Sequence, residues 1–255
     1  MFNIKTKHYV RQPYSSCSAH SSADFSFAGV EAAERYGSKW LEQARDLIDW
    51  YTDELFVPHS HEDNIIQVVF DTCRTLCDVE RMSHDPLEGK GLGITYYHCL
   101  NTDQGTFNPR LTPEGDSRIL QKYLDHQYRI ASLLVQHHNS LLLDCHSFSN
   151  GGTLLQPDAA RNRGIDICLG WNDDFTKPSD ETLSLVEGYF RDRGYAVGLN
   201  TPYSNAKTVD TPADYDALMI EVNKKIYMNE QTLQKKDCFG QVAVDIQGLY
   251  GLLVK

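Results

Sequence analysis

The chain contains no run of about 18 apolar residues, so a membrane-spanning helix is not expected. An excess of positive charge is missing too: 24 Lys and Arg stand against 35 Asp and Glu, giving a formal charge of −11 and a pI near 5.3. Nucleic acids and anionic membranes need a basic face, so neither is expected as a partner. A few local arginines would still hold an anionic small molecule. The opening stretch, Met1 to Tyr9, has no apolar segment and does not read as a signal peptide, which leaves the cytoplasm as the default location. Cysteine is sparse: seven, an odd number, spread widely and without a Cys-x-x-Cys pair. That pattern argues against a disulfide scaffold and fits free, buried thiols. Internal repeats, low-complexity tracts and blocks of like charge are also absent.

What remains is ordinary globular material. A length of 255 residues with 41% hydrophobic and 11% aromatic content suits one α/β domain over residues 1–255. Ala32, Ala33, Tyr36, Trp40, Ala44, Leu47 and Ile48 recur at helical spacing, predicting a helix from Val30 to about Phe56. Ile65 to Phe70 is β-branched and strand-like. Residues 82–118 are rich in Gly, Pro, Asn and Asp, as functional loops often are. An amphipathic helix is expected from about Asp116 to His138, then a strand, Ser140 to His146. Further strands are expected at Ile165–Gly170, Tyr195–Asn200 and Leu218–Val222, with a helix opening at Ser179 as N-cap. The stretch Val242 to Val254 reads as an edge element or a contact surface. Strand–helix alternation of this kind predicts a three-layer α/β/α sandwich around a mixed, mainly parallel sheet, of phosphorylase/hydrolase-like type.

The strand ending in Asp144-Cys145-His146-Ser147, followed by a turn at Asn150-Gly151-Gly152, carries the first chemical signal. Open α/β sheets place ligand chemistry just beyond strand ends, so His146 is a candidate metal ligand or acid/base, or a simple strand cap. Glu221 sits in an apolar strand, on the same face as Met219 and opposite Leu218 and Ile220, where a carboxylate is costly unless paired or functional. Asp53 and Glu54 follow a helical face among bulky residues; they pair, bind metal, or lie on its polar side. Arg74 and Arg81 bracket Asp78, either gripping a carboxylate in a cleft or forming surface ion pairs. Of the ten histidines, His59 and His61 read as solvated, His137 and His138 as a helix cap, and His20 as a loop residue.

In order, these fragments resemble the N-formylglutamate amidohydrolase family, which is similar in fold to zinc carboxypeptidases. Ala19-His20-Ser21-Ser22 stands for its Pro-His-Ser-Gly, and Asp49 to Leu55 for its Asp-x-x-x-Asp-Glu-Leu. Cys73-Arg74 through Asp78-Val79-Glu80-Arg81 stands for Ser-Arg followed by Asp-x-Asn-Arg, and Leu124-Asp125-His126 for Pro-Tyr-His. Asp144 to Ser147, Asn200-Thr201-Pro202-Tyr203, and Glu221 followed by Tyr227-Met228 complete the series. Three departures stand out: Pro and Gly are missing around His20, Glu80 replaces an asparagine, and Ser204-Asn205-Ala206 replaces a glycine-rich run.

The resemblance implies one zinc ion held by His20, Glu54 and His146, with Asp53 as the alternative to Glu54. It implies Glu221 as general acid/base and Arg74, or Arg81 in its place, as oxyanion partner, the other gripping a substrate carboxylate. Arg81, His126, Asn200 and Tyr203 are its substrate contacts, and Asp144 orients a ligand imidazole. The activity it implies is hydrolysis of a small-molecule N-acyl amino acid, foremost N-formyl-L-glutamate to glutamate and formate. A peptidase or deacylase on another amide, or a non-catalytic binding protein of the same fold, are the alternatives. Oligomeric state is not legible.

Overall fold

The computed structural model of the chain describes residues 14–16, 47–58, 65–82, 84–96, 113–151 and 164–253. His20, His59 and His61, and most of the helix expected from Val30, lie outside them.

Within the described residues, β1 (Tyr14–Ser16), β2 (Ser140–Phe148), β3 (Ile167–Gly170), β4 (Val197–Leu199) and β5 (Tyr215–Asn223) form one open sheet in the order β1-β2-β5-β3-β4. β1, β2 and β5 run parallel, β3 is antiparallel to β5, and β4 is parallel to β3. The helices are α1 (Thr52–Leu55), α2 (Pro113–Gln136), α3 (Asp180–Asp192), α4 (Phe239–Gln247) and α5 (Tyr250–Leu253). The mixed, mainly parallel sheet flanked by helices is the architecture that the strand–helix alternation predicts.

The two sheet faces follow from the two-residue period of a strand. Leu143 and Cys145 of β2, with Leu218, Ile220 and Val222 of β5, face one way. They pack with Val186, Tyr189 and Phe190 of α3 and Val242, Ala243 and Ile246 of α4. Leu142, Ala217 and Met219 face the other way, against Ile130 and Leu134 of α2. Cys145 is therefore core. Each fully buried Leu, Ile or Phe stabilises the fold by about 1.5–3 kcal/mol, so the helices are held on by apolar area. Ser179 caps α3 as expected, its side chain accepting from the Thr182 N–H.

Three expectations differ from the structure. The helix expected to reach about Phe56 is interrupted at residues 48–51, where Tyr51 takes a left-handed conformation (φ 64°), and only the short α1 follows. Ile65 to Phe70 has the alternation of a strand, with Val68 and Phe70 buried and Val69 exposed, but it forms no ladder with any strand among the described residues. The stretch after Val242 is not an edge element. It folds into α4 and α5, whose spacing of Val242, Ala243, Ile246 and Tyr250 covers the sheet.

The loop after β4 lies directly on the sheet. At Gly198 a Cβ would come within 2.1 Å of the Thr201 carbonyl oxygen, and at Gly170 within 2.7 Å of the Asn205 carbonyl oxygen. Backbone atoms cannot swing aside as a side-chain tip can. Gly198→Ala is expected to destabilise the protein by roughly 1–3 kcal/mol, read as a lower urea midpoint at unchanged m-value; an unchanged midpoint would show that the loop yields freely.

Candidate active site

The parallel register of β2 and β5 builds the centre of the site, because it pairs His146 with Glu221 and Asp144 with Met219. Asp144 and His146 are two residues apart on one strand and so share the α2 face, as do Met219 and Glu221 on the neighbouring strand. These strand ends open into a cavity of about 640 Å³, whose lining includes Arg74, Arg81, His146, Tyr203, Lys207 and Glu221.

His146 is buried with carboxylates at both ring nitrogens. Its Nδ1 lies 3.3 Å from Asp49 Oδ2, and its Nε2 lies 2.9 Å from Asp144 Oδ1 and 3.8 Å from Glu80 Oε2. Asp49 is fixed in turn by Ser147, whose N–H and hydroxyl both donate to Oδ1, at 3.1 and 3.2 Å. Burial works against the imidazolium, yet the charge and hydrogen bond of Asp144, then Asp49 and Glu80, raise His146 well above its ordinary pKa. Burial likewise opposes the Asp49 carboxylate, but the hydrogen bond and charge of His146, with Arg74 and Lys224, hold it well below the usual range. Glu221 differs. Burial, followed by the charges of Asp49 and Asp144 against those of His146 and Arg74, pushes it up to about 7. Its Oε2 is enclosed and has no hydrogen-bond partner.

The turn from Arg74 to Arg81 supplies another part of the cavity lining. Asp78 is fully buried at its centre and accepts from Arg74 Nε at 3.1 Å, from the Tyr96 hydroxyl at 2.6 Å and from the Glu80 N–H at 3.0 Å. Arg81 Nε is 3.3 Å from the same carboxylate. These ion pairs are mostly buried rather than surface bridges, and both arginines also line the cavity. Breaking a buried pair of this kind costs about 3–5 kcal/mol, because a charge is left uncompensated.

A divalent metal has donors here. Glu80, Asp144 and His146 each offer an atom within 4.8 Å of the others. Glu80 Oε1 is enclosed without a hydrogen bond, and one imidazole with two carboxylates is a donor set that such ions accept.

The expected residues divide in the structure. Arg74, Arg81, His146, Tyr203 and Glu221 meet at the cavity. Glu54 does not: it lies on the exposed side of α1 and pairs with Lys235 at 2.5 Å. Asp53 is partly buried, and it too is outside the cavity lining. The acidic group of that segment that reaches the site is Asp49, at the head of the motif. Its signal was present, since it begins the Asp-x-x-x-Asp-Glu-Leu pattern. His126 packs edge-on against Phe70, with ring centroids 5.1 Å apart, and Asn200 accepts from the Trp171 N–H at 2.9 Å; neither lines the cavity. Lys207 and Glu80 are cavity residues that no motif had assigned a role.

An open, mainly parallel α/β sheet carries a histidine and a buried glutamate at its strand ends, and two arginines from the 74–81 turn share their cavity, an arrangement suited to hydrolysis. The family model for N-formylglutamate amidohydrolase matches residues 23–228, and the chain belongs to that family of enzymes acting on small-molecule substrates. Among solved structures, an N-formylglutamate amidohydrolase from Ralstonia eutropha JMP134 is 21% identical with a TM-score of 0.72, covering 96% of this chain and 93% of its own. A gene product of Agrobacterium tumefaciens is 15% identical with a TM-score of 0.55, covering 95% and 89%. At these identities the likeness is one of fold. No curated protein matches. No helix among the described residues is long and apolar enough to cross a membrane.

Proposed function

We propose that the chain is a zinc-dependent amidohydrolase that cleaves N-formyl-L-glutamate to glutamate and formate. The observation that carries this reading is the pairing of His146 with Glu221 across β2 and β5, inside a cavity that two arginines enter. His146, Glu80 and Asp144 would hold the ion, with Asp49 at the opposite ring nitrogen and His20 as the second imidazole that the resemblance implies. When bound, zinc supplies an activated water and a Lewis-acid contact to the scissile carbonyl.

The chain's own groups do the rest. Glu221, raised toward neutrality, takes a proton from the attacking water and passes it to the leaving amine. Arg74 steadies the charge that develops on the carbonyl oxygen, and Arg81 grips a substrate carboxylate through its planar fork. Tyr203 lines the cavity on the loop after β4 and contacts the substrate. His126 and Asn200 act from behind, by packing and by holding the backbone, and Asp49, at Nδ1, orients the ring of His146 in the place the resemblance gave to Asp144.

A different acyl amino acid is the second reading, favoured because Glu80 and Ser204-Asn205-Ala206, where the chain departs from its family, line the cavity. Formate release from N-formyl-L-glutamate, measured beside a panel of N-acyl amino acids and short peptides, separates the two. Activity is expected to vanish on chelation and return with zinc. A stripped protein that hydrolyses at an unchanged rate would overturn the metal reading, and a panel led by another substrate would overturn the choice of N-formylglutamate.

A further inference from the structure

Lysine is almost never buried unless its charge is matched, and only 3% of the Lys207 side chain is exposed. The residue lies in the loop between β4 and β5, on the cavity wall. Its contacts reach two separate parts of the site. The Lys207 backbone N–H donates to Asp144 Oδ2 at 2.9 Å. Its Nζ donates to the Val79 carbonyl at 2.6 Å and sits 3.6 Å from Glu80 Oε1. The last distance is close enough for charge and too long for a hydrogen bond. Asp144 Oδ1 and Glu80 Oε2 are the two carboxylate oxygens facing His146 Nε2. One residue thus grips both carboxylates that flank one ring nitrogen, Asp144 by main chain and Glu80 by charge.

The charge balance gives this grip a purpose. Asp49, Glu80, Asp144 and Glu221 all converge on the surroundings of a single imidazole. Glu80 is the added carboxylate, standing where the family resemblance has a neutral asparagine. A carboxylate drawn from water is expensive unless cations face it, and beside His146 at Oε2, Lys207 adds one at Oε1 from the loop whose sequence also departs from the family.

We propose that Lys207 is a positioning residue that holds Glu80 and Asp144 at His146 and so sets the metal affinity of the site, an inference that rests on the metal reading above. The main-chain grip on Asp144 survives substitution, so Lys207→Met removes only the action of Nζ on the 79–80 turn. Zinc affinity, measured by competition with a chromophoric chelator, is expected to fall roughly 10–100-fold in Lys207→Met. In a Glu80→Gln background the same substitution is expected to change it by less than about 3-fold, because the carboxylate it holds has gone. A merely structural lysine would lower the thermal midpoint of the metal-free protein and cost the same affinity in both backgrounds; that result overturns the proposal. Wild-type affinity in Lys207→Met overturns it as well. Should Lys207→Met not fold, Lys207→Gln carries the same comparison: it keeps a donor toward the Val79 carbonyl but no charge, is expected to lose zinc affinity over the same range only while Glu80 is present, and overturns the proposal if it does not. A wild-type protein that binds no zinc overturns the metal reading together with the role of Lys207, whereas zinc binding with flat variants overturns the role alone.

Discussion

Glu221→Gln is expected to lower kcat by about 10²–10⁴-fold, the usual worth of a positioned general acid/base, while zinc content and fold stay intact. The change keeps the side chain's size and removes only its proton traffic. Stability should move the opposite way from activity. In the metal-free protein Glu221 titrates near 7 against an unfolded value of 4.5. Between those pH values the unfolded chain has released a proton that the folded one still holds, so the wild type loses stability as pH rises from 4.5 to 7. The loss is on the order of 2–3 kcal/mol. Glu221→Gln has no such titration and is expected to unfold later than the wild type above neutral pH. The two should converge below the unfolded carboxylate pKa. Urea midpoints of the stripped proteins across pH, beside steady-state kinetics of the loaded ones, check both halves. Wild-type turnover in Glu221→Gln would falsify the acid/base role.

His146→Ala should have the larger effect on metal. It deletes the ring that brings Asp49 to one nitrogen and Asp144 and Glu80 to the other, so zinc binding and turnover are both expected to fall to background. Stability should fall as well, because three carboxylates lose their shared cation and breaking buried pairs costs about 3–5 kcal/mol. His146 has a folded-state pKa raised above its unfolded value. Its contribution is therefore fully present below the unfolded pKa and is lost as pH rises through the folded one. The destabilisation of His146→Ala should accordingly be greatest in mildly acidic buffer, read by thermal unfolding of metal-free protein. A variant that still takes up zinc stoichiometrically would remove His146 from the metal site.

Much of the site was legible because strands report their geometry locally. The apolar run at Leu141 to Leu143 leads into Asp144 and His146, and alternation alone puts those two on one face. The same rule put Glu221 opposite Ile220, and the register of β2 and β5 then set it beside His146. Helix α3 was equally plain, since Ser179 and the spacing of Leu183, Val186 and Phe190 need no distant partner. Glu54 illustrates the opposite case. In a short helix a shift of a few residues turns a side chain from core to solvent, and nothing in Asp49 to Leu55 says which acid points inward. Ser147, 98 positions away, decides for Asp49 by donating two hydrogen bonds to it.

By itself, then, the sequence determined the α/β class, the order of the motifs and the strand faces that carry His146 and Glu221. Each of these depends on periodicities of two or three to four residues. Only the tertiary structure decided that Ile65 to Phe70 joins no ladder among the described residues, that the stretch from Val242 to Leu253 covers the sheet as helices, and that Asp49 reaches the site while Glu54 does not. It alone brought Lys207 to Val79, 128 residues apart. The physical reason is the same throughout: burial and charge compensation depend on which surfaces meet. That is a property of the folded chain as a whole, and no local spacing encodes it.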